Sequence, residues 1–152
     1  MRLRVATALA GTLLGGLALF SAAALAATGT YKSGPLTATF SASGTRPNCK
    51  QLWPVTITAR YNGRPTNATA YYQFLYRGQV VSTVQVFGGT KKNPHNHLYH
   101  FYSKVYDNTF GPFGYLSVGY KIDVRAVVQV GRYKAYPGLY VTVTSTRGCP
   151  AK

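Results

Sequence analysis

The sequence contains no glutamate and only two aspartates, Asp107 and Asp123, against seventeen lysines and arginines. Glycoside hydrolysis of the usual kind needs two carboxyl groups facing one bond, and these two sit in dissimilar stretches, a turn-rich segment and a regularly alternating one. A Gly-x-Ser-x-Gly elbow, a phosphate-cradling glycine loop and a zinc-protease helix motif are also missing. Neither an enzyme nor a cofactor is expected. Beyond the first thirty residues no apolar set recurs at helical spacing, so helices are not expected either.

The N-terminus is of a different character. Arg2 and Arg4 precede an apolar run over residues 5–20 and a small-residue tail in which Ala24, Leu25 and Ala26 fit the small-x-small rule of signal peptidase. Residues 1–27 read as a cleaved secretory signal, which implies a secreted or cell-envelope protein of bacterial type. Retention as a membrane anchor is the other reading, since the apolar stretch is just long enough to span. Residues 28–152 then form one domain of fifteen basic residues and two acids, a net charge near +13. Such a charge suits anionic partners, while singly scattered lysines and arginines also serve plain solubility.

Cys49 and Cys149 are the only cysteines. In an oxidising compartment an even pair is most economically a disulfide. Two thiols so far apart make a poor metal site, and a catalytic thiol would leave its partner idle.

The longest ordered pattern lies in LSVGYKIDVRAVVQV, where Val118, Tyr120, Ile122, Val124, Ala126, Val128 and Val130 alternate with largely polar neighbours, Val127 excepted. That is a long strand with one buried and one wet face, and it is expected at the centre of the fold. Leu36, Ala38, Phe40 and Ala42 mark a first strand after a loose lead-in over residues 28–34; Val55, Ile57, Ala59 and Tyr61 mark a second. Residues 68–77 and 80–87 form a hairpin, residues 98–106 a further strand, and residues 133–146 a last one kinked at Pro137-Gly138. The expected fold is all-β: a single seven-strand antiparallel sandwich.

Trp53 at the head of the second strand, the YYQFLYRGQVV hairpin, GYKIDVRAVVQVG and YVTVTS together resemble the immunoglobulin-like and fibronectin type III-like sandwiches, and the chain is similar to small exported bacterial proteins with immunoglobulin-like domains of unassigned activity. The resemblance implies a non-catalytic interaction or structural module, expected to be monomeric. It departs from the antibody pattern in two places: no cysteine pair bridges the second and penultimate strands, and no core tryptophan sits in the third. Alternating strands place the start of the second strand and the end of the last at one pole, where Cys49 and Cys149 would meet.

Four groups of residues carry possible chemistry. His95 and His97 have the i, i+2 spacing that can chelate zinc or copper, though no acid or thiol completes a shell and a plain loop is the simpler reading. Lys91, Lys92, Arg132 and Tyr133 are the candidate binding residues, for anionic cell-envelope polymer, extracellular nucleic acid or another protein. Asn67-Ala68-Thr69 matches a glycosylation sequon and is read as a turn. Of thirteen tyrosines, Tyr72, Tyr76 and Tyr120 belong on apolar faces, whereas Tyr71, Tyr133 and Tyr140 are candidates for the surface, where rings among cations stack on sugars or bases. Intact-mass analysis without reductant should find the protein short of the two hydrogens of one disulfide, and unreduced alkylation should label no thiol.

Overall fold

The computed structural model describes residues 26–88 and 98–149, with the backbone alone at Tyr115. The segment before residue 26, read above as a secretory signal, and Lys91, Lys92, His95 and His97 lie outside the described residues. Within them the chain forms two antiparallel sheets packed as a sandwich. One sheet comprises β1 (Ala27–Ser33), β2 (Leu36–Ala42) and β3 (Val55–Tyr61), with β4 (Arg64–Pro65) and β8 (Lys104–Asp107) in tandem along the far edge of β3. The other has β5 (Asn67–Tyr76) at its centre, flanked on one side by β6 (Gln79–Gln85) and β7 (Tyr99–Tyr102) and on the other by β9 (Lys121–Val130), to which β10 (Tyr133–Ala135) and β11 (Gly138–Thr142) pair.

The described residues thus make eleven strands where seven were expected, and three of the four additions have a local cause. Residues 27–33 are not a loose lead-in: they pair residue for residue with β2 around the Gly34–Pro35 turn. Pro137 has no backbone N–H and divides the last strand into β10 and β11, though the register on β9 runs unbroken from Tyr133↔Val130 to Thr142↔Lys121. The segment read as one strand over 98–106 leaves one sheet and joins the other at Ser103, which adopts φ 59°. Its N–H donates to the carbonyl of Thr66, and its own carbonyl accepts from Ala59 N–H. Phe101, Val105 and Asp107 keep a period of two across this switch, because both sheets face the same core. Asn67-Ala68-Thr69 opens β5 and is no turn.

The inward faces follow the alternation closely. Leu36, Ala38, Phe40 and Ala42 are buried in β2, and Val55, Ile57 and Ala59 in β3. In β9 the pattern is less clean. Val124, Ala126 and Val128 are buried as expected, but Ile122 is half-buried and Arg125 half-covered, and Val127 is buried on the opposite face opposite Tyr71. The strand also begins only at Lys121; Tyr115–Ser117 is a 3-10 turn, and Tyr120 is 44% exposed where a core position was expected. The sheets close on one another where β1 meets β11, and a Cβ on Gly29 would strike the carbonyl of Gly138, so side-chain-free residues are needed on both strands.

One pole is filled by aromatics. Phe110 lies 4.5 Å from Tyr72, 5.7 Å from Phe74, 5.9 Å from Trp53 and 6.2 Å from Phe113, ring centre to ring centre. Trp53 N–H donates to the carbonyl of Phe110 and Lys50 N–H to that of Phe113, which ties the loop after β8 to the loop before β3. Cys49 and Cys149 are bonded here, with Cα atoms 6.1 Å apart, at the shared pole that strand alternation required.

The same loop leans on a buried charge. Asp107, 1% exposed, accepts from Tyr72 hydroxyl (3.0 Å) and Phe87 N–H (2.8 Å) at one oxygen, and from Thr109 N–H (2.9 Å) and hydroxyl (2.8 Å) at the other. Four donors replace the water that burial removed. Burial, reinforced by this carboxylate, pushes the Tyr72 hydroxyl far above its ordinary range and keeps it protonated as a donor. Asp107→Ala leaves buried donors unpaired and should cost about 3–5 kcal/mol in urea unfolding, against about 1–2 kcal/mol for Tyr72→Phe, which leaves the other donors in place.

Candidate binding face

Antiparallel register puts Lys121, Asp123, Arg125, Val127 and Gln129 on the outer face of β9, beside Leu75, Gln73, Tyr71 and Thr69 of β5 and beside Thr142, Tyr140, Gly138 and Lys134 of β11 and β10. Two cations of this face are seated on tyrosines, and a third at the β9–β10 turn. Lys121 Nζ is 4.9 Å from the centre of the Tyr140 ring, Arg125 Cζ 5.0 Å from Tyr136, and Arg132 Cζ 5.2 Å from Tyr133. A fourth such pair, Arg77 on Tyr76 at 5.2 Å, stands at the β5–β6 turn.

The rings fix the cations without neutralising them. Arg125 is held further by Gln73, whose Oε1 accepts from both Nε (3.0 Å) and Nη2 (2.8 Å). Tyr136 is braced edge-on by Tyr31 at 5.7 Å. Arg132 Nη2 donates to the Tyr133 hydroxyl at 3.1 Å, and Tyr133 packs on Tyr61 at 5.9 Å. Lys121 and Arg125, four residues apart on an extended strand, are about 13 Å apart along the face. Asp123 is the one acid here, since the only other aspartate is the buried Asp107.

Of the sequence candidates, Arg132 and Tyr133 are adjacent but stand off this face at the β9–β10 turn: Tyr133 pairs with Val130 and is half-buried against the core where a surface ring was expected, while Tyr140 is 65% exposed as anticipated. Lys121 and Arg125 were not singled out from the sequence as binding residues. The signal was present in the hairpin: counting back from Gly131-Arg132 pairs Tyr140 with Asp123, which places its ring diagonally between Lys121 and Arg125. The opposite face, on the first sheet, has another character. Thr28, Thr30, Thr37, Thr39, Ser41, Thr56 and Thr58 form a hydroxyl field with Lys32, Arg60 and Lys104 among them. Cations thus occur on both faces, and the tyrosine-seated ones gather on the second sheet. Among the described residues no three histidines, cysteines or acids group to hold a metal.

Compared with known protein families, curated proteins and solved structures, the chain matches none.

Asp123 carries a testable consequence of its surroundings. Partial burial raises its pKa above the usual carboxylate value, and neighbouring Arg125 offsets the rise only in part. A carboxyl that binds its proton more tightly in the folded state adds stability when protonated and loses it as pH climbs through the carboxylate range. Asp123→Asn should therefore raise the melting temperature at neutral pH, and its advantage should vanish in acid; an unchanged difference between wild type and variant across that range would show the group to be unperturbed.

Proposed function

We propose that the chain is an exported, non-catalytic module of the fibronectin type III-like kind, and that its tyrosine-seated cations take a phosphate- or carboxylate-bearing polymer of the cell envelope. The strand order supports the fold reading: β2, β3 and β8 stand in one sheet and β6, β5, β9 and β10/β11 in the other, the arrangement of three and four that distinguishes the fibronectin type III-like sandwich, with β1 added outside β2. The disulfide is compatible with an extracellular location, and among the described residues no helix is long and apolar enough to cross a membrane.

The observation that carries the functional reading is the placement of Lys121 and Arg125 over tyrosine rings on one face, with Arg132 likewise seated at the β9–β10 turn, in a chain of two acids of which one, Asp107, is buried. Preorganised cations that outnumber the one acid among them, beside exposed aromatic surface, offer both a charge contact and a stacking platform to a polymer that alternates sugar and anion. The runner-up, a field of charge without a site, differs in where mutations act.

Binding of purified cell-wall fractions, with a short DNA duplex as control, measured across a salt series separates the two. Affinity should fall with salt on both ligands, and each lost anion contact should flatten the slope of log affinity against log salt by about 0.7–0.9, the range known for nucleic acids. Lys121→Gln, Arg125→Gln and Arg132→Gln should weaken wall binding at least several-fold each, whereas Lys104→Gln on the opposite sheet should not. Equal losses from all four would leave only the diffuse charge, and no binding at low salt would remove the polyanion altogether.

A further inference from the structure

The inward pattern of the second sheet runs on past the cover that the first sheet gives it. Phe74 on β5, Val84 on β6 and Ile122 on β9 pack against the core yet are only half-buried. They are open to a crevice of about 540 Å³, whose other wall is Pro112, Phe113 and Leu116 of the loop after β8. A volume of this size is that of a small-molecule site, and such sites are mostly apolar with a few polar groups at fixed points.

No charged side chain lines the crevice, but one stands at its rim. Tyr76 and Tyr120 both line it and meet edge-on, ring centres 5.5 Å apart. The Arg77 guanidinium lies 5.2 Å from the centre of the Tyr76 ring, on a turn residue held at φ 51°. Neither of the two acids in the chain is placed to neutralise it at the crevice: Asp107 is buried against Tyr72 and Thr109, and Asp123 is on the outer face of β9. An apolar slot thus has a positive charge at one point of its edge.

We infer that the crevice takes a single-chain amphiphile of the fatty-acid class, its hydrocarbon between sheet and loop and its carboxylate at Arg77. Each half of the ligand is selected by a different part of the site. The apolar walls reject sugars and free anions, because nothing inside replaces the water those groups would lose. The chain instead takes Val81 and Leu116, 62% and 59% exposed, out of water. The guanidinium selects the head, since its planar fork donates two parallel hydrogen bonds to a carboxylate, and the Tyr76 and Tyr120 hydroxyls are further donors beside it. This site lies on the inner side of the second sheet, so it stands or falls independently of polymer binding on the outer face.

Calorimetric titration of the purified disulfide-bonded protein with octanoate, decanoate and dodecanoate, each below its micelle-forming concentration, tests this against the alcohols of the same lengths. The expected result is one saturable site that tightens about fourfold for each methylene entering the crevice, with the matching alcohols at least several-fold weaker and the methyl resonances of Val84 and Ile122 shifted on binding. Arg77→Asn, a residue that tolerates the left-handed turn, should bring the acids down to the level of the alcohols. Leu116→Asp, a carboxylate on the exposed wall, should weaken acids and alcohols alike, while Lys32→Gln on the first sheet should change neither; melting temperatures without ligand report that the variants are folded. Absence of saturable binding overturns the inference, even if the protein still attaches to anionic vesicles. So does binding that survives Arg77→Asn or Leu116→Asp, and so does an equal loss from Lys32→Gln, which is attraction to net charge alone.

Discussion

The carboxylate of Asp107 is the point on which the two sheets, the end of β6 and the loop after β8 converge. It belongs to β8 of the first sheet, receives Tyr72 from the centre of the second, draws in the N–H of Phe87, and is clasped by Thr109. Because Thr109 is fixed, Phe110 enters the core among Phe40, Trp53, Tyr72 and Phe74, and the loop then pins the segment that carries Cys49. With no cation among the described residues beside it, the buried anion is tolerated only while its donors are in place, so the network couples elements that alternation alone would leave independent.

With one aspartate spent on the core, only Asp123 is left to oppose the fifteen basic residues from residue 28 onward. The molecule therefore presents its cations largely unpaired, and the difference between its faces comes from what surrounds them. Hydroxyls surround Lys32, Arg60 and Lys104, whereas tyrosine rings carry Lys121, Arg125 and Arg132. The first kind of surface is well solvated and adaptable. The second holds guanidinium and ammonium groups in set positions next to flat apolar area.

Alternation read from the residues located β2, β3, β5, β6 and the centre of β9, with the buried set correct throughout β2 and in β3 up to Tyr61, which is half-buried. It failed where a strand belongs to an edge or changes sheets. β1 carries Thr28, Thr30, Tyr31 and Lys32, too polar to announce a strand, and is recruited by the backbone of β2. Tyr120 keeps the period of β9 yet lies beyond its paired part, where the opposing sheet no longer covers it and Tyr76 packs against it edge-on at 5.5 Å.

By itself the sequence determined an all-β chain, the inward faces of its central strands, its excess of positive charge and the pairing of Cys49 with Cys149, because each follows from side-chain type or from a period of two that any sheet must obey. The tertiary structure alone decided the switch of the chain between sheets at Ser103, the burial of Asp107 and the seating of Lys121 and Arg125 on tyrosines. The physical reason is common to all three: a period of two says which way a side chain points, but both sheets point into the same core, so which sheet a strand joins, and what then meets across it, depends on partners distant in sequence.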